Sequence, residues 1–129
     1  MVRARIVVHY TNGRIGKGFS GDLYPNKPIF HLQEDDSDRP TEVGLEELKA
    51  VYYVKDFAGD SGYQTRHDVE RPGLGRKIRV RFRDGETVVG YTNCYSADRL
   101  AFFLFPADGE ENNQRILVVT KATEEVSLL

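Results

Sequence analysis

The chain has one cysteine, one methionine, three histidines and no tryptophan. A lone Cys94 cannot close an internal disulfide, so no covalent staple supports the fold. It has no histidine within ten residues, which leaves neither a zinc site nor an activated thiol. His9, His31 and His67 are too scattered for metal-ligand spacing. No apolar run approaches the roughly 18 residues a membrane span needs. The start of the chain lacks the charged, then apolar, then small-residue order of a secretory leader. These absences lead to the expectation of a cytoplasmic protein with no membrane role. There is also no excess of one charge: 18 Lys and Arg stand against 20 Asp and Glu, for a formal net charge of −2. The whole surface therefore offers no electrostatic case for nucleic acid.

Catalytic signatures are missing too. No phosphate-cradling glycine loop, Ser-His-Asp set or pair of placed carboxylates is recognisable. The acidic run Glu34, Asp35, Asp36 and Asp38 lacks the alternating spacing, central glycine and closing glutamate of a twelve-residue calcium loop. The sequence reads as a non-enzyme with no cofactor and no metal.

What is present is β-type patterning, and it occurs twice. Hydrophobic content of 40% with seven Tyr and seven Phe is that of a globular protein. Written without gaps, the stretch from Arg3 to Phe57 lies over the stretch from Arg76 to Leu129. Ile6 meets Ile78, Val8 Val80, Gly13 Gly85, Gly18 Gly90, Phe30 Phe102, Leu32 Leu104, Lys49 Lys121, Ala50 Ala122 and Val54 Val126, each pair 72 positions apart. Copies of about 55 residues would be marginally stable alone, so the two are expected to pack together.

In the first copy, Ala4, Ile6, Val8 and Tyr10 alternate with Arg3, Arg5, Val7 and His9, the period of a half-buried strand. Thr11-Asn12-Gly13 reads as a tight hairpin turn. A second strand follows to Phe19, in which Gly16 and Gly18 suggest a bend. Residues 29–33 form a third strand and 34–40 an exposed acidic connection. Leu45, Leu48 and Val51 allow one helical turn, and residues 49–54 form a closing strand. The second copy repeats this order with strands at 77–82, 87–92, 101–105, 116–119 and 124–128 and an Asp84-Gly85 turn. The fold class is therefore all-β: two tandem SH3-like or Sm-like small antiparallel barrels from an internal duplication. Residues 1–57 are the first barrel, 58–72 a linker and 73–129 the second barrel. Phe57, Tyr63 and Val69 are more apolar than a flexible tether requires, so part of the linker should lie along the barrels.

Two surfaces are candidates for binding. Lys77, Arg79, Arg81 and Arg83 occupy alternate positions of one strand and share a face. Such a ladder could hold phosphates, or it could simply be a solvated face whose charges meet Glu86, Glu124 or Glu125. Tyr24, Phe30, Tyr91, Tyr95, Phe102, Phe103 and Phe105 could stack bases. Phe102 and Leu104 share one face and Phe103 and Phe105 the other, so one aromatic pair must leave its own core, for the seam between barrels or for a partner. Arg99 and Arg76 invite comparison with cyclic-dinucleotide-binding PilZ barrels, which resemble this chain in size and carry Arg-x-x-x-Arg and then Asp/Asn-x-Ser-x-x-Gly. Here Arg71 and Arg76 are five apart, and Asn93-Cys94-Tyr95-Ser96 has neither the serine spacing nor the glycine, so the likeness stays at the level of fold.

The stretches YPNKPIFHL at 24–32, LKAVYYVKDF at 48–57 and 85–91 resemble an uncharacterised bacterial family of small β-barrel domains. That resemblance covers most of the chain and implies no activity, ligand or catalytic residue. The functional expectation is a binding or adaptor module with a protein partner. The alternative is a nucleotide-sensing or nucleic-acid-binding barrel using the basic ladder. The sequence leaves the oligomeric state open.

Overall fold

Alternating β-branched residues build the first strand and its neighbours. A computed structural model of the chain describes residues 3–35, 37–59, 62–93 and 95–129. Strand β1 (Ala4–Tyr10) turns through Gly13 into β2 (Ile15–Ser20). Gly13 has φ +92°, the left-handed conformation that the Asn-Gly pattern anticipates. β3 (Ile29–Leu32) pairs with β4 (Thr41–Gly44), a short 3₁₀ turn spans Leu45–Glu47, and β5 (Leu48–Val54) returns alongside β1. The order then repeats with β6 (Arg76–Phe82), β7 (Thr87–Thr92), β8 (Ala101–Pro106), β9 (Asn113–Val119), a 3₁₀ turn at Thr120–Ala122 and β10 (Thr123–Leu128). The molecule is all-β, with no helix longer than these turns among the described residues.

Eight strands form one antiparallel sheet in the order β10-β6-β7-β8-β9-β5-β1-β2, and β3-β4 form a second, two-stranded sheet. The two sheets meet where Phe19 and Gln33 exchange backbone hydrogen bonds of 2.9 and 2.8 Å. This is not a pair of separately closed barrels. Among the described residues no ladder joins β4 to β5 or β9 to β10; β9 pairs instead with β5 of the other half. The free edge of β9 finds its partner across the chain, and one core fills the space, with Ile6, Val8, Phe30 and Leu32 in the same cluster as Ile78, Val80, Phe82 and Phe102.

The halves share their hydrogen-bond register closely. Val8 faces Gly16 in β1-β2 and Val80 faces Val88 in β6-β7. Phe19 faces Gln33, and Tyr91 faces Phe105. Up to β3 and β8 the matching positions are 72 apart. Beyond them the spacing becomes 75: Phe30 faces Val43 and Phe102 faces Val118, while Val8 faces Val51 and Val80 faces Val126. The gapless pairings Lys49 with Lys121, Ala50 with Ala122 and Val54 with Val126 are thus out of register by three residues. The separation of paired residues is three longer in the second half, with Leu104 facing Ile116 where Leu32 faces Thr41, and the later strands shift with it.

At two glycines neighbouring strands come into close backbone contact. A Cβ on Gly18 would lie 2.2 Å from the Gln33 carbonyl oxygen, and one on Gly90 2.3 Å from that of Phe105. Only glycine lets the neighbouring backbone come so close.

Candidate functional site

The basic strand is largely occupied by its own protein. Lys77 Nζ lies 3.2 Å from Glu70 and over the Tyr91 ring. Arg81 reaches Glu124 at 3.6 Å and Glu125 at 3.2 Å, both on the adjoining β10. Arg83 donates from Nε to the Lys121 carbonyl at 2.9 Å. Arg79 is exposed on the same face. Glu86 turns away from the ladder to Lys49. Arg99 stands apart, in the exposed turn after residue 96.

The alternation of β8 sends its aromatics to two different places. Phe102 and Leu104 are fully buried, whereas Phe103 and Phe105 are half-buried on the opposite face. Phe103 sits at the β5-β9 junction, edge-on to Tyr53 with ring centroids 5.8 Å apart. The Arg115 guanidinium covers both rings, at 4.2 Å from Tyr53 and 4.5 Å from Phe103. Such cation–π stacking suits a planar guanidinium held between strands. Phe105 lies opposite Tyr91 in the β7-β8 ladder.

Several side chains hold the connecting segment against the strands. The buried Asp108 accepts hydrogen bonds from the Tyr63 hydroxyl, from the Arg66 backbone N–H at 3.0 Å and from that of Glu110 at 3.0 Å. The Tyr63 bond, joined by those from Arg66, outweighs desolvation and holds the Asp108 carboxyl well below its ordinary range. Arg71 donates to the Pro106 carbonyl at 2.9 Å, and Tyr91 donates to Glu70 at 2.9 Å. Phe57 packs edge-on against Phe19 at 5.6 Å. Glu111 is buried nearby, and desolvation pushes its carboxyl upward despite hydrogen bonds with Thr65 and Asn113. Asp108 and Glu111 belong to a run, DGEE at 108–111, that reads as a solvated turn; only the tertiary structure reveals their burial.

Both halves build one cleft. It has a volume of about 760 Å³ and lies between the β1-β2 turn, the β6-β7 turn and the two 3₁₀ turns. Tyr10, Ile15, Phe82 and Ala122 give it apolar walls, and Arg14, Lys49, Arg83 and Lys121 bring cations, against the carboxylates of Glu46 and Asp84. Lys49 lies 2.7 Å from Asp84, also contacts Glu86 and rests over the Phe82 ring at 4.7 Å. Burial opposes its charge, but hydrogen bonds to Asp84 and Glu86 win and raise its pKa. His9, its ring tilted against that of Tyr52 at 4.5 Å, is pushed downward by burial and then by Lys49, which favours its neutral form. Arg14 lies over the Tyr10 ring at 5.0 Å and, like Lys121 and Ile15, is exposed. Its two hairpin turns are readable in the sequence, but the groove is not, because its residues are drawn from four separate segments.

Among the described residues no group of three or more His, Cys, Asp or Glu is placed to hold a metal ion. No helix there is long and apolar enough to cross a membrane. Cys94 and Asp36 lie outside the described residues. A family described as a family of unknown function (DUF6982) matches residues 2–129, and the chain belongs to it. No curated protein matches the chain. No solved structure matches it either.

Proposed function

For this member of a family of unknown function, we propose a non-enzymatic binding module made of two SH3-like or Sm-like units from an internal duplication, with an acidic segment of a protein partner as its ligand. The shared register of the two halves supports the duplicated, part-open barrel reading. The observation that carries the function is the groove between the units. Its walls supply an apolar surface, and Arg14, Arg83 and Lys121 ring it with exposed cations while Lys49 is already neutralised by Asp84 and Glu86. That combination suits an apolar side chain flanked by Asp or Glu, recognised by a preformed cleft with a few placed charges. It favours a protein over a polyanion on the β6 ladder, where Lys77 and Arg81 are already paired with carboxylates.

Selection of displayed peptides on the immobilised protein tests this. The enriched sequences should place an apolar residue beside acidic ones. Their binding should be lost with Arg83→Glu combined with Lys121→Glu and kept with Arg79→Glu. Binding that survives the groove reversal but fails with Arg79→Glu and Arg81→Glu, and that weakens steeply with salt, would favour the ladder and its nucleotide or nucleic-acid ligands instead.

A further inference from the structure

The joint between the halves is made from unlike edges. β5 flanks β1 as β10 flanks β6, and β9 pairs with β8 as β4 pairs with β3. Joining β5 to β9 therefore uses the fifth-strand edge of one half and the fourth-strand edge of the other. The complementary pair, β4 and β10, is left over, and among the described residues no strand covers the outer side of either. A contact between unlike surfaces does not satisfy itself; it propagates to the next molecule.

We propose that the chain associates head to tail with a second copy of itself, β10 of one molecule adding to β4 of the next in the register that joins β5 to β9. Within the chain Ala50 faces Val118, Val51 faces Leu117 and Tyr52 faces Ile116. The matching positions put Glu125 opposite Val43, Val126 opposite Glu42 and Ser127 opposite Thr41.

The side chains at the free edges fit this occupant. At the internal joint Tyr53 and Val54 are each 5% exposed. Their counterparts at the end of β10 are also apolar but stand in solvent: Leu128 is 57% exposed and Leu129 60%. Unpaired strand edges that carry apolar side chains are templates for another chain. Two features make the contact weaker than the internal one. β4 has four residues where β9 has seven, with Pro40 just before it, and Glu42 falls diagonally across from Glu124, a like charge.

Sedimentation of the purified chain over a range of concentrations is the test, with folding of each variant checked by circular dichroism. The wild type should gain mass with concentration. Leu128→Lys should weaken association by about tenfold or more, since it puts an unpaired cation into an apolar contact. Glu42→Lys should strengthen it by reversing the clash with Glu124. A wild type that stays monomeric at every concentration overturns the proposal, even if a variant fails to fold. So does association that survives Leu128→Lys, or that ignores Glu42→Lys, because the first removes β10 from the contact and the second removes β4.

Discussion

Asp108 has no exposure, yet it keeps its charge because the Tyr63 hydroxyl and the N–H groups of Arg66 and Glu110 surround it. It ties the connecting segment to the second half, which a tether of its composition would not require. A carboxyl whose pKa is lowered by folding stabilises the native state fully above its ordinary value of 3.8 and loses that contribution as pH falls through the folded value. Asp108→Asn should therefore be less stable than the wild type at neutral pH, and the gap should narrow on acidification below 3.8. Urea unfolding at a series of pH values checks this; a gap independent of pH would mean that the charge of Asp108 is not what holds the segment. Phe103 belongs to the same scale of argument. Its half-buried position under Arg115 and against Tyr53 makes it part of the joint between the halves.

The strands with clear period 2 were legible in the sequence, as were the turns at Asn12-Gly13 and Asp84-Gly85, because β-branched alternation and positive-φ turns are local properties. β4 was not. Thr41-Glu42-Val43-Gly44 offers one buried apolar residue, Val43, and a glycine, so only pairing with β3 makes it a strand. The three-residue change of spacing between β8 and β9 was hidden for a similar reason: register is set by partners, and Ala122 or Val126 can be matched plausibly in more than one way. The glycines show local and tertiary information meeting. Gly18 was readable as a bend and Gly90 as its match in the second copy, but the close approach of Gln33 and Phe105 is what requires them. Gly18→Ala and Gly90→Ala should each destabilise by roughly 3 kcal/mol, the range of backbone clashes that packing cannot relieve. Thermal denaturation measures this, and a loss confined to one of the two would show that the halves are not equivalent at this point.

At the scale of the whole molecule, a net charge of −2 says little, because the arrangement of charges matters more than their sum. The β6 ladder is offset by Glu70, Glu124 and Glu125, while the groove between the halves keeps Arg14, Arg83 and Lys121 at its rim. The groove was invisible in the sequence since no one segment builds it; the β5-β9 joint brings its walls together. The central claim is that this shared cleft is the binding surface. The most direct measurement is nuclear magnetic resonance mapping of backbone amides as a selected acidic peptide is added. The amides of Gly13, Arg14 and Ile15 in one half should shift together with those of Asp84, Gly85 and Lys121 in the other. Shifts confined to Arg79 and Arg81 on the ladder, or to one half alone, would contradict it.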